Sequence, residues 1–204
     1  MKKTLLALVA VIGLLSASAH AAPVLLGEIT HDYGSAAGKV DPGGNDVLSA
    51  DYVTVADSST SRFNDVFDFS GLNYNSIDHF ALTLNFSNTN DINWVFIFPF
   101  LEDWNVRLGN SSQEQQLNRV GSTITSQTFT FNASVDTFAN AVSSGLFTLW
   151  FAEEALGANS FRLYDATLDV YGVAAPATTN VPEPGTLALL GIGLLGGIAL
   201  RRKA

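Results

Sequence analysis

The sequence contains few side chains that could act as a nucleophile or as a general acid or base. It has no cysteine and three histidines, of which only His31 and His79 follow the N-terminal leader described below. Neither the G-x-S-x-G motif of serine hydrolases nor the H-E-x-x-H motif of zinc peptidases occurs in it. This composition predicts a protein that is not an enzyme.

Two pairs of adjacent acids, Glu102–Asp103 and Glu153–Glu154, keep a glycan-cleaving enzyme open as the alternative. Glycoside hydrolysis needs two carboxyl groups about 5 to 10 Å apart across a cleft. Neighbours on a strand point to opposite faces, so neither pair supplies both groups by itself. A secreted polysaccharide hydrolase or lyase would need Glu102 or Glu153 to meet an acid or His79 from another strand.

The turn segment DPGGND, residues 41–46, is the candidate for a metal site. Asp41, Asn45 and Asp46 place side-chain oxygens around two glycines. Calcium takes six to eight oxygen ligands, but the complete D-x-[DN]-x-[DN]-G loop with its distal glutamate is not present. Ordinary turn chemistry explains the same residues without a metal. A structural calcium ion is therefore a hypothesis, and no other cofactor is predicted.

The tryptophans raise the hypothesis that the protein binds carbohydrate by ring stacking. Trp94 and Trp150 lie in apolar runs and are predicted to be core residues. Trp104 lies in LEDWN among polar residues, so it is the tryptophan predicted to be exposed and able to stack on a sugar. A structural role for Trp104 is the alternative.

The charge of the chain excludes one class of partner. Residues 22–180 contain 18 acidic and five basic side chains, a formal charge of −13. A surface with this excess of negative charge repels phosphate backbones, so we expect no nucleic-acid binding.

Apolar residues in the body of the chain mostly recur with period two, which predicts strands with one buried face. The clearest case is FALTLNF, residues 80–86. Similar alternation occurs at residues 51–56, 65–69, 127–133 and 161–172. Two continuous apolar runs, 94–100 and 146–152, predict strands covered on both faces.

Turn-forming segments between these runs favour an all-β fold, and helices are predicted only at 111–120 and 135–145. We predict a jelly-roll-like antiparallel β-sandwich over residues 22–173, followed by a linker at 174–180. This fold class hosts many functions and does not by itself select one.

The N-terminus has the organisation of a secretory signal peptide at residues 1–21. Two lysines precede an apolar run, and a small-residue cleavage site follows with Ala19 and Ala21 at its key positions. The apolar run is shorter than the roughly 20 residues that span a bilayer. We therefore predict export by the Sec machinery, with Ala22 as the mature N-terminus and cleavage after Ala19 as the alternative.

The C-terminus, residues 181–204, combines a turn, an apolar segment and a basic end. Pro182-Glu183-Pro184-Gly185 cannot continue a helix or strand, because proline fixes φ and lacks a donor. Residues 186–200 carry no charge, and as a helix they would cover roughly 22 Å of the ~30 Å hydrocarbon core. Arg201, Arg202 and Lys203 would then lie at the cytoplasmic face.

This tail resembles the PEP-CTERM sorting signal of Gram-negative bacteria that produce exopolysaccharide. The matching pieces are the Pro182-Glu183-Pro184 motif, the Gly-rich apolar segment 186–200 and the closing Arg201-Arg202-Lys203. A plain C-terminal membrane anchor is the alternative.

The resemblance implies that a membrane-embedded exosortase is a partner and that the apolar segment inserts in the membrane only transiently. It also implies a location at the cell surface or in the extracellular matrix. The body would then be a non-catalytic surface or matrix protein with exopolysaccharide as a candidate partner.

Overall fold

A computed structural model of the chain describes residues 22–43, 46–57, 63–90, 92–95, 98–101, 103–153 and 159–176. These residues form strands and one short helix. The strands are β1 (Val24–Asp32), β2 (Val47–Leu48), β3 (Val53–Ala56), β4 (Asp65–Asp68), β5 (Tyr74–Ser87), β6 (Ile92–Val95), β7 (Phe98–Leu101), β8 (Trp104–Leu108), β9 (Gln115–Gln116), β10 (Thr125–Asn132), β11 (Leu146–Glu153) and β12 (Ser160–Ala174). The helix, α1, is Phe138–Ser144.

The strands form two main antiparallel sheets. The larger sheet has the order β10-β5-β12-β3-β2, and β1 pairs with β12 on the same side as β3. The smaller sheet has the order β4-β11-β8-β9. The predicted all-β antiparallel sandwich is therefore confirmed.

The core lies between the two sheets and follows from the period of the strands. In β5, Phe80, Leu82, Leu84 and Phe86 are all completely buried, while the alternate residues point to the outer face. Side chains of the two sheets meet here, since the rings of Phe80 and Phe147 lie 5.4 Å apart. The alternation in the sequence therefore predicts the core face correctly.

The first of the two continuous apolar runs does not form one strand, and the second does not form a strand fully covered on both faces. The first folds back on itself as β6 and β7, with Trp94 opposite Pro99. The second forms β11, in which Phe147 and Leu149 are buried and Trp150 is only partly buried. Because Phe147 and Leu149 occupy the core face, period-two geometry places Trp150 on the outer face, so its predicted core position is wrong.

One of the two predicted helices is present. The segment predicted at 135–145 contains α1, and Gly145 ends it in the left-handed conformation, with φ 72° and its N–H donating to the Ala141 carbonyl. Glycine adopts this conformation without a Cβ clash.

The helix predicted at 111–120 is wrong. This segment contains the short strand β9, and its polar side chains bond to β10 instead. The Gln115 amide donates to the Thr130 carbonyl, and Gln127 accepts from the Asn118 N–H and donates to the Gln116 carbonyl. These tertiary hydrogen bonds cover the free edge of β10 and outweigh the local helix preference.

The last described strand, β12, ends at Ala174. Within the described part of the chain, no helix is long and apolar enough to cross a membrane. The predicted signal peptide and the apolar segment 186–200 lie outside the described residues.

Candidate functional site

Several predicted functional residues lie outside the described residues. They are Ala19, Ala21, Asn45, Glu102, Glu154, Pro182, Glu183, Pro184, Gly185, Arg201, Arg202 and Lys203.

Trp104 is not available for carbohydrate stacking. It is only 3% exposed, and its ring packs edge-on against Phe161 with the centroids 4.8 Å apart. Trp104 begins β8, where it shares the buried face with Val106 and Leu108. The polar neighbours that suggested exposure lie before the strand or on its other face, so the predicted exposure is wrong.

The turn at 41–46 places its two described acids in different environments. Asp41 is exposed, whereas Asp46 is partly buried and its Oδ1 accepts a 3.4 Å hydrogen bond from the Ala56 N–H. The other oxygen of Asp46 is buried without a partner. Among the described residues, no group of three or more carboxylate or histidine side chains is arranged to hold a metal ion. Calcium at Asp41, Asn45 and Asp46 stays a hypothesis.

Burial raises the pKa of Asp46 to about 6, against the weaker opposing effect of the Ala56 N–H. A carboxyl with a raised folded-state pKa holds its proton more tightly when folded, so its contribution favours folding at low pH and is lost between about pH 4 and pH 6. Because Asp46 is only partly buried, screening by solvent reduces this contribution to about 1 kcal/mol.

We expect Asp46→Asn to be about 1 kcal/mol more stable than the wild type at about pH 7 and equal to it at about pH 4. The amide oxygen still accepts the Ala56 N–H, and the variant carries no buried charge. Urea unfolding of both proteins across this pH range measures the difference. A difference in the free energy of unfolding that does not change with pH would contradict the raised pKa of Asp46.

A buried polar cluster that the sequence analysis did not identify joins the two sheets. His31 lies in β1 of the larger sheet, Tyr33 directly follows that strand, and Asp65 begins β4 of the smaller sheet. His31 Nδ1 lies 2.6 Å from Asp65 Oδ2, and the Tyr33 hydroxyl donates to the same oxygen at 2.6 Å. Asp65 is 7% exposed and Tyr33 is fully buried. We call these three residues the cross-sheet cluster.

The surroundings of the cross-sheet cluster hold each member in place. The His31 ring stacks on Phe67 at a centroid distance of 4.2 Å, and the other oxygen of Asp65 accepts the Val66 N–H. Burial, followed by the nearby Asp65 carboxylate, raises the pKa of Tyr33 well above its usual value. Tyr33 therefore keeps its proton and remains the donor. The arrangement is suited to fastening β1 to β4.

His79 lies away from this cluster, on the outer face of the larger sheet. Its Nδ1 is 2.8 Å from the Asp78 carboxylate, and its ring stacks on Tyr171 with the centroids 4.6 Å apart and an interplanar angle of 7°. Glu153, the candidate catalytic acid, ends β11 in the smaller sheet. The two positions therefore belong to different sheets.

The comparisons with known proteins identify the tail. A family model described as the PEP-CTERM protein-sorting motif matches residues 180–203. No curated protein is significantly similar to this sequence. The motif marks an exported protein that an exosortase processes at the membrane. The chain is therefore a PEP-CTERM sorting domain-containing protein, with the sorting motif at residues 180–203.

Proposed function

We propose that this protein is a non-catalytic component of the cell surface or exopolysaccharide matrix, and that its sandwich body binds carbohydrate there. The observation that carries the proposal is the sorting motif at residues 180–203, which directs the exported chain to an exosortase. A protein that is sorted in this way needs a body that remains folded outside the cell and contacts material there. The described sandwich, with its extensive aromatic core and no cysteine, is suited to that environment.

The environments of the two histidines support a non-catalytic body. His31 is engaged with Asp65 and stacks on Phe67, and His79 is engaged with Asp78 and stacks on Tyr171. These contacts give each histidine a structural role in its strand. The acidic body, with 18 acids against five bases, favours a neutral glycan over an anionic one.

Fractionation of a host with a matching exosortase tests the location. We expect the protein in the surface and matrix fractions, and we expect it in the medium when exopolysaccharide synthesis is deleted. A variant with Pro182, Glu183 and Pro184 replaced by alanine should stay with the inner membrane. The matched control is Pro176→Ala, which removes a proline just outside the motif and should behave as the wild type.

Wild-type protein that stays in the inner membrane, or that leaves it equally well without the Pro-Glu-Pro motif, would contradict the proposed route. Matrix association that survives the loss of exopolysaccharide would contradict a carbohydrate partner.

A further inference from the structure

A groove of about 260 Å³ lies between α1, the turn after β8 and the start of β11. Its apolar lining includes the buried Leu108 and Ala141 and also Leu146, which is 39% exposed and is the apolar side chain that a ligand could reach. Its polar lining includes Asn110, Asn140 and Thr148. This volume is slightly below the roughly 300 Å³ at which pockets for drug-sized ligands begin, so the groove suits a ligand of about one sugar ring.

Two sets of hydrogen bonds hold the walls of the groove in position. Asp136, next to α1, accepts from the Ser111 hydroxyl at 2.6 Å and from the Ser112 hydroxyl at 2.7 Å. These hydroxyls, with the Ser112 N–H, lower the pKa of Asp136 to about 2, so the carboxylate is ionised at neutral pH. The turn that carries Asn110 is thereby fixed against the start of the helix.

The end of β8 and this turn are also fixed to the N-cap of α1 and to β11. The Thr137 hydroxyl donates to the Leu108 carbonyl at 2.7 Å, and the Gly109 N–H donates to the Thr148 carbonyl at 2.7 Å. Because the walls of the groove are already held in position, less conformational entropy is lost when a ligand binds. The geometry is therefore that of a preformed groove.

The chemistry of the lining selects a neutral ligand that carries hydroxyl groups. None of the residues that line the groove is charged. The side chains of Asn110 and Asn140 are exposed, and their amides have no hydrogen-bond partner among the described residues. Each amide offers two donors and an acceptor, which matches a hydroxyl that both gives and accepts a hydrogen bond. Leu146 supplies an exposed apolar surface that matches the C–H face of a sugar ring.

We propose that this groove binds one neutral pyranose unit, with the Asn110 and Asn140 amides bonding its hydroxyls and the exposed Leu146 side chain contacting its apolar face. The assignment rests on the proposed carbohydrate-binding role of the body. Asparagine amides thus form the proposed carbohydrate site, in place of the ring of Trp104, which is buried. A glycan would engage the groove through a terminal or side-branch residue, because the groove has room for one ring.

Saturation-transfer NMR on the full-length chain, in a zwitterionic detergent without a sugar headgroup, tests the proposal. The probes are the methyl pyranosides of glucose, galactose, mannose and N-acetylglucosamine, each titrated to about 50 mM, well above the millimolar Kd expected of one ring. We expect saturable transfer to at least one of them and weaker transfer to sodium glucuronate. The double variant Asn110→Ala/Asn140→Ala should bind about tenfold more weakly, since it loses two hydrogen bonds.

Asn132→Ala is the matched control, because Asn132 is an exposed asparagine at the end of β10, outside the groove lining. It should bind as the wild type does, and thermal unfolding should show that all variants are folded. Absence of saturable transfer to every pyranoside, or equal affinity in the wild type and the double variant, would overturn the assignment. The assay reads sugar binding alone, so either result leaves the export and sorting of the chain unaffected.

Discussion

Replacing Phe147 with alanine is expected to lower the free energy of unfolding by about 4 kcal/mol. Phe147 is fully buried on β11, and its ring contacts Phe67 of its own sheet and Phe80 and Phe131 of the other sheet. The centroid distances lie between 5.4 and 6.2 Å. Removing the ring takes away these aromatic contacts and leaves a cavity between two sheets that cannot easily collapse. The total free energy of unfolding of a domain of this size is only about 5 to 15 kcal/mol.

Two further variants test this explanation by urea unfolding. Phe147→Leu keeps most of the volume and should lose about 1 to 2 kcal/mol. Val66→Ala is the control, because Val66 is 41% exposed and lies opposite Thr148 on the adjacent strand. It should change the free energy of unfolding by about 0.5 kcal/mol or less. Equal losses for Phe147→Ala and Val66→Ala would contradict the position of Phe147 at the centre of the core.

The second large effect is expected at the cross-sheet cluster. Asp65→Ala should lower the free energy of unfolding by about 3 kcal/mol, because it leaves the buried Tyr33 hydroxyl without an acceptor. Asp65→Asn should lower the free energy of unfolding by less, since its amide oxygen can still accept the hydrogen bond from the Tyr33 hydroxyl. Urea unfolding of both variants at neutral pH measures the two losses.

A double-mutant cycle separates the hydrogen bond from other effects of removing Asp65. Tyr33→Phe removes the hydroxyl that Asp65→Ala leaves unpaired, so the double variant Asp65→Ala/Tyr33→Phe should be more stable than Asp65→Ala alone. His31 is partly exposed, with 19% of its side chain accessible, and water can replace its contact. Strictly additive losses would contradict a shared buried hydrogen bond between Tyr33 and Asp65.

The fold could be predicted where one face of a strand carries all the apolar residues. Phe80 to Phe86 show this plainly, and the structure buries them as expected. Trp104 could have been placed by the same rule, because Trp104, Val106 and Leu108 alternate with Asn105 and Arg107. Its acidic neighbours hid that pattern. The sequence analysis predicted no strand at β8, and for this reason it predicted an exposed ligand-binding ring where the structure has a core residue.

The cross-sheet cluster carries a weaker signal in the sequence. In DVFDF, Asp65 has the same parity as Phe67 and Phe69, which places an acid on the buried face and requires a partner for it. The identity of that partner depends on β1 and β4 meeting across the sandwich, which no local pattern encodes. The groove beside α1 depends in the same way on contacts between distant segments. The tail is different, because its motif is contiguous and is recognised as sequence.

The sorting motif indicates that the chain is exported and that an exosortase processes its tail. The most direct test is the intact mass of the protein from the surface and medium of a host with a matching exosortase, beside the same host without that enzyme. We expect loss of residues 1–21 in both strains and loss of the C-terminal segment only when the exosortase is present. A tail that remains intact in both strains, on a protein that stays in the membrane, would contradict this expectation.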